Sequence, residues 1–161
     1  MSAYEIQHEQ WVSSPLEQVF QFFSAAQNLE QLTPPFLKFH IIRTPPRIEA
    51  GAQIEYKLRV HGFPIRWLTI IDKWEPPFLF VDVQAKGPYK LWHHTHRFRS
   101  VNGGTSIEDH VRYSLPFGML GRVAHRLMVR SDVETIFRFR DQKIREIFPA
   151  VHQSPFETGK P

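Results

Sequence analysis

Two histidines, His94 and His96, stand two residues apart in the alternating run Leu91–Phe98, and an aspartate, Asp109, follows in the next such run. Split by the period of 2 that a strand imposes, the first run gives one face of Trp92, His94, His96 and Phe98 and another of Leu91, His93, Thr95 and Arg97. Arg97 and then Arg99 mark the second face as the wet one, so the face with Trp92 and Phe98 turns inward and takes both histidines with it. Asn102-Gly103 between the runs favours a two-residue type I′ turn, which pairs 101 with 104 and sets His96 opposite Asp109, His94 opposite Val111, Phe98 opposite Ile107 and Trp92 opposite Tyr113. A turn at Gly103-Gly104 keeps the faces and makes His96 and Asp109 diagonal neighbours. A three-residue loop flips one strand and sets Trp92 against the Arg112 face, against the burial pattern.

An inward carboxylate beside an imidazole has two readings. It is a structural pair, each group satisfying the other in the core, or it is an acid/base or ligand-orienting pair, because Asp can fix the tautomer of His and shift its pKa. If the protein is an enzyme, His96 and Asp109 are the candidates for the proton-transfer step. A metal site built on His94, His96 and Asp109 lacks a further inward ligand at defined spacing, so no metal is expected.

Strands and helices must hold these groups in place. Residues 4 to 12 read as a first strand, and Ser14-Pro15-Leu16-Glu17 then offers an N-cap serine, a proline at the first helical position and a capping-box glutamate. Leu16, Val19, Phe20 and Phe23 recur at helical spacing, and Asn28–Leu32 forms a second short helix that Thr33-Pro34-Pro35 stops. From 37 to 115 turn signals at Pro45-Pro46, Ala50-Gly51, His61–Pro64, Glu75–Pro77, Lys86–Pro88 and Asn102–Gly104 divide six strands joined by short, hence antiparallel, connections. After Pro116-Phe117-Gly118 the period turns helical over 119 to 148, with Leu120, Val123, Leu127, Ile136, Phe137 and Ile144 on one side. The order implies an α+β protein in which a curved seven-stranded antiparallel sheet buries its apolar face on a long C-terminal helix, with two short helices between strands 1 and 2. One helix does not fill the concavity of such a sheet, so a cavity is expected between them.

The hairpin at 58 to 67 puts Tyr56 and Trp67 on one face with Ile54, Leu58 and Ile65, as cavity wall or core. Strand 78 to 85 is equivocal. A turn at Glu75-Pro76 sends Phe80, Asp82 and Gln84 inward, one at Gly87 sends Val81 and Val83 inward, and a proline-induced bulge reconciles them.

Composition narrows the function classes. The chain has 161 residues, 42% of them hydrophobic, enough for one domain with a sizeable core over residues 1–150, and the polar tail 151–161 is expected to fray. The absence of cysteine removes disulfides, thiolate zinc sites and cysteine nucleophiles. The N-terminus lacks the basic and apolar regions of a secretory leader and no apolar run reaches membrane-spanning length, which argues for a soluble cytoplasmic protein. The net charge of +4 is dispersed except for Arg122, Arg126 and Arg130, one stripe of a helix, read as a solvated face in preference to a nucleic-acid or membrane contact.

Asn28–Pro35, Phe80–Gln84 with Gly87-Pro88-Tyr89, and Trp92-X-His94-X-His96-X-Phe98 followed by Asp109-X-Val111-X-Tyr113 resemble the START-like, or SRPBCC, ligand-binding proteins. The likeness spans residues 4 to 148 and is nearest to the small bacterial branch labelled cell-division-inhibitor or polyketide-cyclase-like. It implies a helix-grip fold with a deep apolar cavity, but no established catalytic set, and no cofactor motif accompanies it. The leading expectation is binding or carriage of an apolar or aromatic small molecule, with Tyr56, Trp67, Trp92, Phe98, Tyr113 and Phe137 as walls, His94, His96 and Asp109 at a polar end, and Phe80, Asp82 and Gln84 as further candidates. The alternative is a polyketide cyclase or aromatase-like proton-transfer enzyme.

Overall fold

A computed structural model describes residues 3–149, except for the side chains of Arg122, Ala124 and His125, so the tail 151–161 lies outside the described residues. Seven strands run β1 (Tyr4–Val12), β2 (His40–Arg43), β3 (Gln53–Val60), β4 (Phe63–Glu75), β5 (Leu79–Lys86), β6 (Leu91–Val101) and β7 (Gly104–Ser114). They form one antiparallel sheet in the order β1-β7-β6-β5-β4-β3-β2. Helix α1 (Leu16–Phe23) and two short 3₁₀ turns (Ala26–Leu29 and Pro35–Leu37) separate β1 from β2. After β7 come α2 (Gly118–Ala124), a π-helical turn (His125–Val129) and α3 (Arg130–Ile147).

The long hairpin β6–β7 has the register that its turn residues favour. Val101 pairs with Gly104, Asn102 and Gly103 have φ of 50° and 74°, and His96 lies opposite Asp109. These positive φ values are what a type I′ turn needs, and Asn and Gly adopt them at least cost. The β3–β4 hairpin turns in the same way at His61-Gly62, with φ of 50° and 85°.

Strand β4 explains why β5 reads equivocally. Ile71 pairs with Asp82 but Lys73 pairs with Val81, so Asp72 is an extra, exposed residue in β4. This bulge changes the parity of the inward face from Trp67, Thr69 and Ile71 to Trp74, and lets Phe80 and Asp82 of β5 stay on that face throughout. The bulge lies upstream of the prolines, not at them. On the outer face Val81 and Thr95 are opposite one another and both are buried, so Thr95 is not the wet residue its face suggests.

Three other expectations need correction. Pro15, in an extended conformation, is itself the N-cap of α1, and no side chain caps the helix. The expected helix at 28–32 is the 3₁₀ turn Ala26–Leu29, and Pro35 opens a second 3₁₀ turn. The long C-terminal helix does not bury one stripe along its whole length. In α3, Val133, Phe137, Arg140 and Ile144 are buried, whereas Leu120, Val123 and Leu127 are 77%, 56% and 72% exposed. Phe117 and Gly118, with φ of 69° and 51°, redirect the chain ahead of α2. The π turn then adds a residue per turn and breaks the phase between the two halves, so a stripe continuous on a 3.6-residue wheel is not continuous in space. Arg126 and Arg130 of the basic stripe are exposed, and Arg130 Nε donates to Glu134 at 2.9 Å.

Helix α1 closes one end of the sheet. Val19, Phe20 and Phe23 pack with Phe98 and Ile107 of the central hairpin and with Ile144 and Phe148 from the C-terminal side. A second cluster joins Val111 and Tyr113 of β7 to Val133 and Phe137 of α3, and a third sits under β3 and β4 around Ile54 and Ile71. The concave face between these clusters is not filled.

Candidate functional site

Between the sheet and α3 lies a cavity of about 590 Å³, within the range of about 300–1,000 Å³ typical of small-molecule sites. Tyr56 and Trp67 on β3 and β4, Trp92 on β6 and Phe137 on α3 line it, as do Phe80, Asp82, His94 and His96. Tyr56 and Trp67 stack at 5.9 Å between ring centroids, and Trp67 meets Trp92 edge-on at 5.3 Å. The Tyr56 hydroxyl lies 3.3 Å from Thr69 Oγ1, and burial pushes its pKa up, so it stays neutral. Trp67 Nε1 is buried without a hydrogen-bond partner among the described residues.

Four expected residues are not on the cavity wall. Phe98 is 1% exposed and belongs to the core beneath α1, where Phe20 and Phe23 hold it. Tyr113 packs behind Trp92 and Tyr89. Gln84 acts through a neighbour: its Nε2 donates to Tyr89 O at 2.7 Å and its Oε1 accepts from Tyr89 N at 3.2 Å, which holds the Tyr89 ring in the wall. A Cβ on Gly87 would stand 2.3 Å from Gln84 Oε1, so a side chain there would displace the Gln84 amide that holds Tyr89. Asp109 lies one layer back, behind the histidines.

The polar end of the cavity is a closed cluster of five side chains. Asp109 Oδ1 is 2.8 Å from both His94 Nε2 and His96 Nδ1, and Arg140 Nη2 on α3 is 3.4 Å from the same oxygen. Asp82 Oδ2 is 2.8 Å from His96 Nε2 and 3.6 Å from His94 Nδ1. His96 thus has a carboxylate oxygen 2.8 Å from each ring nitrogen, an arrangement that favours a doubly protonated, cationic ring. Arg140 Nη2 lies 3.4 Å from His96 Nδ1, placed to donate to that nitrogen whenever it is unprotonated.

Burial alone would lower the pKa of His96; the hydrogen bonds to Asp109 and Asp82 outweigh it and raise the value. His94 moves down, because burial and the charge of His96 exceed the pull of the carboxylates, so it is neutral. Burial would raise Asp109, yet the charge of Arg140 and the hydrogen bonds from both histidines hold it well below the usual carboxylate range. Asp82 is likewise lowered despite burial, first by the hydrogen bond from His96. Two carboxylates balance one imidazolium and one guanidinium, the condition under which ionised groups can be buried.

Asp82, His94 and His96 each offer one ligand-type atom within 4.8 Å of the others. Arg140 was not among the residues picked out in the sequence, although it sits three positions after Phe137 and four before Ile144 on a helical stripe. A charged residue in phase with a buried stripe is the signal that would have found it.

Residues 12–136 match the model of the polyketide cyclase / dehydrase and lipid transport family. The chain belongs to this family. No curated protein matches the sequence. Among solved structures, TTHA0849 from Thermus thermophilus aligns with 20% identity over 89% of this chain and 99% of its own, at a TM-score of 0.63. The Zhui aromatase/cyclase from Streptomyces sp. R1128 aligns with 13% identity over 91% of this chain and 96% of its own, at 0.65. The ginseng major latex-like protein 151 from Panax ginseng aligns with 7% identity over 91% and 98%, at 0.67. These three structures share the fold of this chain, at identities too low to carry a substrate across. Among the described residues no helix is long and apolar enough to cross a membrane.

Proposed function

We propose that this protein binds or carries an apolar or aromatic small molecule in the cavity between the sheet and α3. The observation that carries the reading is the cavity of about 590 Å³, walled by Tyr56, Trp67, Trp92 and Phe137. Its aromatic side chains match a flat apolar ligand. The family description, which names lipid transport, is consistent with this class of ligand. A cytoplasmic site of action is part of the same proposal.

The second reading is proton transfer on a polyketide-like carbonyl compound, favoured by imidazole on the cavity wall. Here His94 is the better base. Both nitrogens of His96 are engaged by carboxylates, whereas neutral His94 donates from Nε2 to Asp109 and keeps a lone pair on Nδ1. Native mass spectrometry of the purified protein, followed by solvent extraction, separates the two. A retained lipophile supports the carrier; an empty protein that cyclises a polyketide chain, and loses that activity in His94→Gln, overturns it.

A further inference from the structure

The contacts of the polar cluster do more than neutralise charge, because Asp109 stands against one nitrogen of each histidine and so decides which nitrogen is left to a ligand once both rings are neutral. Asp109 Oδ1 is 2.8 Å from Nε2 of His94 and 2.8 Å from Nδ1 of His96. A proton on each of those nitrogens leaves His94 Nδ1 and His96 Nε2 as the lone-pair atoms of the neutral rings. Those are the two nitrogens that face Asp82, at 3.6 and 2.8 Å from its Oδ2. Three donor atoms on neighbouring strands β5 and β6 therefore converge on one point, with one carboxylate behind both imidazoles and Arg140 behind that carboxylate.

We infer that Asp82, His94 and His96 form a binding site for a divalent first-row transition ion, with Asp109 as the carboxylate that orients both imidazoles. Metal-bound histidines commonly donate their other N–H to a carboxylate, and Asp109 supplies that partner to both rings. Metal–ligand bonds of about 2.1 Å put tetrahedral ligand atoms about 3.4 Å apart; the carboxylate oxygen stands 2.8 and 3.6 Å from the two nitrogens, and all three residues offer ligand atoms within 4.8 Å of one another. Two imidazoles and a carboxylate suit zinc, iron, nickel or copper and not magnesium or calcium. Three protein ligands leave coordination positions open, and all three residues line the cavity, so the open side faces a bound ligand. With both imidazoles neutral, Arg140 and a divalent ion give three positive charges against the two carboxylates. The site is therefore suited to a ligand that brings an anionic oxygen, such as a carboxylate or enolate. In the absence of metal the same atoms close into the ion pairs described above.

The test is calorimetric titration of metal-stripped protein with Zn²⁺. One equivalent should bind, and Asp82→Asn, His94→Gln and His96→Gln should each abolish stoichiometric binding. Asp109→Asn should keep the stoichiometry and weaken the affinity roughly 10- to 100-fold. His110→Gln, on the outer face of β7 near Glu5, should bind as the parent does. Circular dichroism shows which variants are folded, and the visible spectrum of the parent with Co²⁺ reads the ligand set without any substitution. An intense band of a four- or five-coordinate ion supports the site. No stoichiometric binding, an octahedral Co²⁺ spectrum, or undiminished binding by folded Asp82→Asn would overturn it and leave the cluster an ion-pair network only. None of these outcomes depends on whether the cavity holds a lipophile.

Discussion

The polar end and the aromatic wall of the cavity bury polar groups in different ways. At the polar end Asp82, His94, His96, Asp109 and Arg140 are partners of one another and the cluster carries its own counter-charges, with Arg140 Nε left without an acceptor among the described residues. On the aromatic wall Tyr56 has Thr69, but Trp67 keeps a buried N–H with no acceptor among the described residues. Removing one member should therefore unbalance the first region at the expense of the fold, whereas in the second it should change what is bound. The charge-balanced network holds the floor of the cavity in place, and the apolar contacts of a ligand are made at the wall.

The largest expected effect comes from breaking the charge balance. Arg140→Met leaves Asp109 and Asp82 with one cation between them, and the loss of one partner from a buried ion pair costs about 3–5 kcal/mol. Chemical denaturation measures it, and a cost below about 1 kcal/mol would mean that Arg140 is not the counter-charge. Next come two phenylalanines on opposite sides of the comparison between core and cavity. Phe98→Ala should cost about 3–5 kcal/mol, as in a closed core, and Phe137→Ala distinctly less, because part of its surface borders space that already exists. Equal losses would contradict the assignment of Phe98 to the core and Phe137 to the wall.

Acid should weaken the metal-free protein through the same carboxylates. Asp82 and Asp109 have folded pKa values below the unfolded value of about 3.9. Their contribution is thus present above that value and is lost as the pH falls through the lowered ones. His96, with a raised folded value, contributes below its unfolded pKa of about 6.5, and that part is lost as the pH rises through the folded value. Tm measured against pH should show both limbs in the parent, and Asp109→Asn should flatten the acid limb. The smallest effect is expected at Leu127, which is 72% exposed. Leu127→Ala should change stability by no more than about 0.5 kcal/mol, and a loss of core size would restore the continuous helical stripe.

How far the site was legible in the sequence depended on how local its determinants are. The facing of His96 and Asp109 follows from two turn residues, Asn102 and Gly103, and an alternation that survives without interruption over eleven residues of β6. The place of Asp82 does not, because it depends on an extra residue at Asp72 in a different strand, and no local pattern in β5 reports a bulge in β4. Helical period located α3 but could not say where the helix stops touching the sheet, so Leu120 and Leu127 were grouped with Phe137. That boundary falls at the π turn between α2 and α3, which a regular helical period does not report. Arg140 was overlooked because a charged residue is ordinarily assigned to the wet side, and its burial makes sense only once two aspartates are seen across the cavity floor.

The central claim, that this cavity takes a flat apolar ligand, is tested most directly by titrating the protein with 2-acetylnaphthalene while following tryptophan fluorescence, since Trp67, Trp74 and Trp92 all line the cavity. The account predicts saturable quenching with one site per chain. In Trp67→Ala, followed through the two cavity tryptophans that remain, it predicts a roughly 3- to 10-fold weaker Kd, the equivalent of one lost aromatic contact of about 0.5–1.5 kcal/mol. Linear, non-saturable quenching in the parent, or an unchanged Kd in Trp67→Ala, would contradict it.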